Sequence, residues 1–449
     1  MKLKLIPKNE QELSKFFVIL FPLFLILSSA IMFVKNSYFT FANILPHNAI
    51  FNYGKLATIE SQVSFNLLTS ASLSLLFVYL FSKSLGRKMV LFPLAFLTLL
   101  GLIGVSFLGV IVQNSLVSLL TILILFGLTG IATINVLAKK ENTIFSSAQH
   151  IYGAIVILFV ATVISRSSLE IYSDQILVTS LTSSLLNMTA IPLLFMSAIY
   201  FLMTKGLGAT LYSKTLSSIS FWGFLFLLPW TSFKYYYGSV LPNWLENVSI
   251  YLSLSLIVPL LAFVVNFIQS SQDNKDGSDK LLSQLNFSMI VFTVTTALHI
   301  ASSFANLLPI LGLTNFVYAI KFGYLSSLII VVMSLILYLI PKLFGREVPY
   351  TNFDKLGLTG VNISLLLYLV NNLVIGINSG YSWNAGANAG NPTIYGEGFQ
   401  IQWELINVNF MANTFISLLF FASAGLYFIT TVKAISSGAV TTVEEMVSS

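Results

Sequence analysis

Residues 16–34 read FFVILFPLFLILSSAIMFV, a run without a single charged side chain. About 20 apolar residues in a helix span the hydrocarbon core of a bilayer. Backbone groups in lipid must be hydrogen-bonded within the segment, and a helix does this. The run is too long for the apolar part of a signal peptide, and no small-residue cleavage site follows it. We therefore expect a transmembrane helix.

Similar runs recur along the whole chain. Only 8% of the 449 residues are charged and 56% are apolar, whereas a soluble domain has roughly a quarter charged residues. The strict alternation of barrel strands is absent. We therefore expect an all-α polytopic membrane protein, a single domain over residues 1–449, with about twelve helices. The predicted spans lie near 16–34, 59–82, 89–112, 115–138, 145–165, 176–204, 215–237, 246–270, 281–304, 313–341, 355–376 and 405–433.

Basic residues orient these spans. In the predicted topology, 17 of the 22 Lys and Arg residues fall at the N-terminus, at the C-terminal end or in the even-numbered connections. The opposite side holds only Lys35, Lys55 and Arg166, while Lys234 and Lys321 fall at or inside the membrane. Because basic loop residues stay in the cytoplasm, we expect a protein of the cell membrane with both ends cytoplasmic.

Several kinds of chemistry have no support in the sequence. The chain has no Cys, which excludes disulfides, thiolate metal sites and Cys nucleophiles. We find no phosphate-binding Gly-rich loop, HExxH pair or nucleophile elbow. The basic residues are scattered between spans, so they favour topology signals over a nucleic-acid surface.

One connection on the predicted outer side differs from the rest. Residues 378–402 read NSGYSWNAGANAGNPTIYGEGFQIQ and contain one charge, Glu397. Gly and Asn are typical of turns, and aromatic rings suit a membrane interface or a partner surface. We predict an outer loop that is either a lid over the bundle or a docking surface.

Four stretches resemble a known family. Tyr53–Gln62 (YGKLATIESQ) is similar to a family motif that opens the second helix, FGRLRPLHTN. Ser220–Trp222, then Trp230 and Leu241–Trp244 (LPNW), are similar to its HFW, WAGPHH and LPDW motifs. Ser302–Ala305 (SSFA) and Leu337–Arg346 (LYLIPKLFGR) resemble later ones. In these motifs and their order along the spans, the chain resembles subunit I of the haem–copper oxidases, in the branch of the cbb3-type oxidases and nitric oxide reductases, whose core has twelve helices.

The resemblance also implies that the metal ligands are missing. The family uses six histidines, whereas this chain has only His47, His150 and His299. Imidazole is a preferred ligand of haem iron and copper. By position, the low-spin haem ligand of the second helix becomes Glu60, and the copper ligands become Lys234, Tyr235 and, near the sixth helix, Ser183. The ligands of the tenth helix become Ala319 and Lys321. We expect no catalytic residue, no metal and no haem, with vacated sites filled by aromatic side chains, a lipid or a quinone.

The substituted positions allow a second prediction. An ionisable group inside a membrane is normally paired or placed in a polar cavity. Because Glu60 and Lys321 approach the same haem in the family, we predict a buried Glu60–Lys321 ion pair; the alternative is that either side chain extends to the interface. Lys234 and Tyr235 are expected in an interfacial aromatic belt. A haem held by His150 and His299 is the less favoured alternative to histidines bonded to carbonyl or hydroxyl groups.

Three functions remain open at this level. The first is a non-catalytic, cofactor-free membrane subunit that anchors a respiratory electron-transfer complex, with a cytochrome b or a Rieske protein as partner. The second is a secondary transporter or ion-conducting protein that uses Glu60, Lys234 and Lys321. The third is a redox subunit with atypical haem ligands.

Overall fold

The computed structural model describes residues 7, 9–41, 52–86, 88–111, 115–138, 145–166, 172–236, 238, 241–272, 279–304, 306–312, 314–348, 352–388 and 392–438. In these residues the chain is helical, and twelve helices are long and apolar enough to cross a membrane. The predicted all-α class and helix count are therefore confirmed. His47 lies outside the described residues.

Each of the twelve helices overlaps one predicted span. Their bounds are Glu10–Tyr38, Tyr53–Leu85, Phe92–Val110, Leu116–Leu137, Ser146–Ile164, Gln175–Gly206, Lys214–Tyr236, Asn243–Ser271, Lys280–Ala301, Asn315–Phe344, Lys355–Ser382 and Ile406–Ser436. We refer to them as the first to the twelfth span.

Local sequence explains where several of these helices begin and end. Asn9 and Thr314 accept hydrogen bonds from backbone N–H groups of the first turn, which are otherwise unpaired, before the first and tenth spans. The second and tenth spans end at Gly86 and Gly345, whose φ angles of 65° and 61° are left-handed. Glycine adopts this conformation without steric cost.

Burial separates a central layer of helices from a lipid-facing layer. In the most apolar window of the second, sixth and tenth spans, 83%, 89% and 89% of residues are buried, against 33% and 22% in the third and fourth. A helix whose whole circumference is apolar and buried lies inside a bundle. The second, sixth and tenth spans therefore form the centre, and the third and fourth lie at the periphery.

Among the described residues, four spans depart from one continuous α-helix. The eighth is interrupted at Leu256, between Asn243–Ser255 and Ile257–Ser271. The second contains π-helical segments at Gln62–Leu67 and Leu76–Phe81, and the sixth at Ser184–Ala190 and Leu202–Gly206. The seventh ends in two 3₁₀ turns, Leu228–Trp230 and Phe233–Tyr236. Single π turns widen a helix and are frequent at functional sites.

The predicted outer loop is largely helical. The α-helix of the eleventh span runs over Asn352–Asn388, and that of the twelfth begins at Pro392. Gly380, which we expected in a turn, and Gly376, at the end of the predicted span, instead bring helices together: a Cβ on Gly376 would overlap the Phe316 backbone, and one on Gly380 would overlap the Ile310 carbonyl. Packing against the neighbouring helix thus outweighs the weak helix propensity of Gly and Asn.

Candidate functional site

Glu60 lies in a buried polar cluster near one end of the bundle. Lys35 Nζ is 3.4 Å from Glu60 Oε2, and the two side chains are 8% and 2% exposed. Tyr318 donates to Glu60 Oε1 at 2.8 Å, and Lys35 donates to the Tyr368 hydroxyl at 3.3 Å. These four residues, the Glu60 cluster, come from the first, second, tenth and eleventh spans and join them through one ion pair and two hydrogen bonds.

The cation beside Glu60 is not the one we predicted. The ion pair is made with Lys35, and the predicted contact with Lys321 is not formed in the part of the chain that the structure describes. Lys35 was placed in an outer connection because its span was expected to end at Val34. The first helix instead continues to Thr40, so Lys35 lies on its inner face. The sequence contained one indication of this position, because Lys35 directly follows the apolar run that ends at Val34.

Lys234 and Tyr235 form a second buried cluster with His299 of the ninth span. Lys234 Nζ donates to the His299 carbonyl and, at 2.7 Å, to Ser303 Oγ. The Tyr235 hydroxyl is 3.0 Å from His299 Nδ1 and 3.2 Å from Ser302 Oγ. We call Lys234, Tyr235, His299, Ser302 and Ser303 the Lys234 cluster.

The expected interfacial position of Lys234 and Tyr235 is wrong. They are 0% and 2% exposed. The reason is local: the regular helix ends at Leu227, and Pro229, which has no N–H for a regular helix, lies in the 3₁₀ turn Leu228–Trp230 that follows. The second turn, Phe233–Tyr236, follows and directs both side chains into the bundle.

The remaining predicted positions make no common site. Ser183 is half-buried at the end of a regular helical segment, just before the π-helical segment of the sixth span. Ala319 is fully buried in the tenth span, and Lys321 is half-buried on the same helix. Glu60, Lys234 and Lys321, the three groups of the transport hypothesis, do not converge: Glu60 bonds to the first, tenth and eleventh spans, and Lys234 to the ninth.

His150 lies apart from His299. His150 Nδ1 is 2.6 Å from the Ser146 carbonyl oxygen, and the ring packs on Tyr200 and Phe221 with centroids 5.3 and 5.1 Å away. No ring contact joins the two histidines directly among the described residues. A series of ring contacts connects them instead through other side chains, namely Tyr200, Phe263, Phe292 and Tyr324.

Aromatic rings fill the space between the central spans. Phe292 of the ninth span stacks on Phe195 of the sixth at 4.6 Å and meets Phe224, Phe263 and Tyr324 edge-on or tilted at 5.6–5.8 Å. All five side chains are fully buried. Such ring pairs are attractive beyond the area that they bury, so this aromatic cluster is a packed core.

The side chains at these positions differ from the usual ligands of haem iron and copper. The described residues contain no group of three or more His, Cys, Asp or Glu side chains that could hold a metal ion. Iron and copper prefer imidazole ligands, whereas the positions implied by the resemblance carry a carboxylate, two lysines, a phenol, a hydroxyl and a methyl group. Glu60, Lys234 and Tyr235 are already bonded to protein atoms. Among the described residues, His150 Nε2 and His299 Nε2 have no hydrogen-bond partner, but they lie in separate surroundings. The residues present do not fit the metal centres of the resembled family.

Comparison with known proteins settles the family. A sequence profile for cytochrome c and quinol oxidase polypeptide I matches residues 186–419, slightly more than half of the chain. The chain belongs to this family. It is 24% identical over 199 residues to the cbb3-type cytochrome c oxidase subunit CcoN1 of Stutzerimonas stutzeri, and that match covers 42% of this chain and 41% of the relative.

The fold comparison covers nearly the whole molecule. A haem–copper terminal oxidase dimer, solved by cryo-electron microscopy, has a chain that aligns over 97% of this chain and 85% of its own length. The TM-score is 0.76 at 13% identity. This likeness establishes that the twelve helices have the subunit I arrangement. This member of the family is therefore a multi-pass membrane protein with an oxidase-like bundle.

Proposed function

We propose that this chain is a non-catalytic, cofactor-free subunit that anchors a respiratory electron-transfer complex in the cell membrane. In this proposal both ends are cytoplasmic, and electrons are carried by partner subunits, such as a cytochrome b or a Rieske protein. The observation that carries the proposal is the bonding at the former ligand positions. Lys234, Tyr235 and Glu60 each complete a hydrogen-bonded cluster with neighbouring helices.

The aromatic cluster supports the same proposal. It lies among the sixth, seventh, eighth, ninth and tenth spans, and the sixth, seventh and tenth carry the positions that the resemblance assigns to ligands of the high-spin haem and copper. Protein interiors are packed to the density of organic crystals. A macrocycle in this region would have to displace several fully buried rings, among them Phe195 and Phe292.

An absorption spectrum tests the absence of a cofactor. The full-length chain is purified from cells supplied with a haem precursor and copper, and its spectrum is recorded in the oxidised and reduced states, together with its iron and copper content. We expect no Soret band and no metal at the level of one per chain. A stoichiometric Soret band would overturn the proposal. Its loss in His150→Phe or His299→Phe would then identify an atypical haem ligand.

Copurification tests the anchoring role. The tagged chain is isolated in mild detergent from its native membranes, and the associated subunits are identified by mass spectrometry and absorption spectroscopy. We expect a stable complex that contains a haem or iron–sulfur subunit. Isolation of the chain alone, together with unchanged assembly of the respiratory complexes when its gene is deleted, would contradict the proposal and favour transport.

A further inference from the structure

A cavity opens between five spans at one end of the bundle. It has a volume of about 520 Å³, is partly open, and is lined by residues of the second to sixth spans. Pockets of about 300–1,000 Å³ are typical of sites for small organic ligands. The positions that the resemblance assigns to haem and copper ligands do not line it. The cavity is therefore separate from the Glu60 cluster and the Lys234 cluster.

The ends of the lining helices show where the mouth of the cavity lies. Ser165 and Arg166 directly follow the fifth span. Gly109 lies near the end of the third span, and Val117 lies at the start of the fourth. The charge pattern predicts these ends on the outer side of the membrane. Along the regular fourth span, the eight positions from Val117 to Leu125 correspond to a depth of roughly 12 Å, so the cavity reaches into the hydrocarbon region.

Hydroxyl groups of the cavity wall are bonded within the protein. Five wall residues donate the side-chain hydroxyl to a carbonyl of their own helix, at 2.7–2.8 Å: Ser70, Ser106, Thr121, Thr162 and Ser165. The hydroxyl oxygen of Thr69 has almost no accessible surface and does not face the cavity. A hydroxyl that is bonded to its own helix needs no partner in the cavity. The wall therefore does not require a polar ligand in its deep part.

Apolar side chains from all five spans complete the wall. They are Phe65, Leu102, Val105, Leu125, Leu158 and Leu186. Asn187 adds an amide beside Leu186, and the Asn66 amide donates to Gln62 Oε1. Removal of aliphatic groups from water against such a surface is favourable. The deep part of the cavity thus suits an aliphatic chain.

Arg166 gives the mouth of this cavity a positive charge. Its side chain is exposed, and the described residues that line the cavity include no Asp, Glu, Lys or second Arg. A guanidinium group presents several N–H donors in a planar fork that matches the oxygens of a carboxylate or a phosphate. An arginine after a helix also interacts favourably with the helix C-terminus, but that interaction requires no cavity. A cation beside an apolar opening is complementary to an acidic head on an aliphatic chain.

We propose that this cavity binds an acidic amphiphile, with its carboxylate or phosphate head on Arg166 and its aliphatic chain inside. The head stays at the mouth, in contact with water, because moving its charge into hydrocarbon would be costly. Burial of the chain supplies most of the binding free energy. The third and fourth spans face lipid, with 33% and 22% of their most apolar windows buried, so the chain enters sideways from the bilayer. A fatty acid and an acidic phospholipid share this chemistry.

Binding of radiolabelled probes to the purified full-length chain tests the site. Palmitate, hexadecyl phosphate and hexadecanol share one chain length and differ in the head, and saturable binding is measured on tagged protein immobilised in mild detergent. Arg166→Gln removes the charge, and Arg166→Lys keeps the charge without the planar fork. Thr121→Phe fills the cavity. The matched control is Lys55→Gln, which removes an exposed cation of the second span that does not line the cavity.

We expect saturable binding of palmitate or hexadecyl phosphate and about tenfold weaker binding of hexadecanol. The tighter of the two charged probes identifies the head as the carboxylate of a fatty acid or the phosphate of a phospholipid. Arg166→Gln weakens binding of that probe about tenfold, as expected for one lost charge-assisted hydrogen bond. Arg166→Lys recovers part of the affinity. Thr121→Phe abolishes binding, and Lys55→Gln leaves it unchanged.

Three results would overturn the proposal. The first is equal affinity for hexadecanol and the charged probes, and the second is equal affinity of Arg166→Gln and wild type. The third is undiminished binding to a folded Thr121→Phe protein, because the amphiphile would then lie on the outer surface of the bundle. If Thr121→Phe does not fold, the comparison of Arg166→Gln with Lys55→Gln decides, because both substitutions are at exposed positions.

Discussion

At the scale of single residues, the Glu60 cluster concentrates buried charge. Lys35 and Glu60 are almost inaccessible and are compensated by each other and by two tyrosine hydroxyls. The mutual attraction of a buried pair can do little more than offset the cost of removing both charges from water. Removing one partner is different, because the other charge remains buried without compensation.

Lys35→Met tests how strongly the protein is destabilised when Glu60 loses its partner. We expect a loss of about 3–5 kcal/mol in the free energy of unfolding, measured by denaturant titration in detergent micelles, because Glu60 loses its cation. The double variant Lys35→Met with Glu60→Gln recovers much of the loss. Lys55→Met, at an exposed position of the second span, is the control and changes stability little. A Lys35→Met protein as stable as this control would contradict the ion pair.

Tyr235→Phe tests the Lys234 cluster. The substitution removes the hydroxyl that contacts His299 Nδ1 and Ser302 Oγ and leaves a buried ring nitrogen without that partner. We expect a loss of about 1–3 kcal/mol in the free energy of unfolding. Tyr251→Phe, at a position that is 68% exposed, is the matched control. Equal effects of the two substitutions would show that the hydroxyl contributes nothing in the cluster.

At residue positions, sequence reasoning predicted a buried cation beside Glu60, and the structure has one in Lys35. The six positions that the resemblance assigns to metal ligands stay a prediction. Which lysine pairs with Glu60 depends on where the first helix ends. The sequence around Lys35 does not determine this end. The burial of Lys234 and Tyr235 depends on the local 3₁₀ turns at the end of the seventh span. The contact of Tyr235 with His299 depends on the ninth span packing beside the seventh, which one sequence does not show.

At the scale of helices, the long apolar runs predicted the spans. The glycines were harder to interpret, because a glycine can lie in a turn or at a close contact between two helices. The run between 378 and 402 was predicted as a loop from its Gly and Asn content. Intrinsic propensity is a weak guide where a helix packs closely against a neighbour. Gly376 and Gly380 permit such contact with Phe316 and Ile310, and tertiary contacts of this kind are invisible in one sequence.

Gly380→Ala tests the close approach of these helices. A Cβ at this position would overlap the Ile310 carbonyl oxygen, so the eleventh span has to move. We expect a destabilisation of about 1–3 kcal/mol, the usual range for overpacking, measured as a lower midpoint of thermal unfolding. Gly425→Ala in the twelfth span meets nothing within 4 Å, and it stabilises slightly, because alanine favours helix. An equal response of both variants would contradict the packing argument.

At the scale of the whole molecule, the apolar runs predict twelve spans, and the distribution of charge predicts which side each connection faces. The described helices confirm the number, and an even number of spans predicts that both ends lie on one side of the membrane. Which side this is depends on the distribution of Lys and Arg, because positively charged loops are retained in the cytoplasm. Lys205 and Lys214 flank one connection, and Arg166 follows the fifth span on the opposite side.

The absence of cysteine makes this orientation directly measurable. Single substitutions Lys214→Cys and Arg166→Cys introduce the only thiols in the chain, and intact cells are treated with a membrane-impermeant maleimide. We expect Arg166→Cys to be labelled and Lys214→Cys to be protected until the membrane is permeabilised. Labelling of both after permeabilisation controls for accessibility. The reverse pattern in intact cells would contradict the predicted orientation of the bundle.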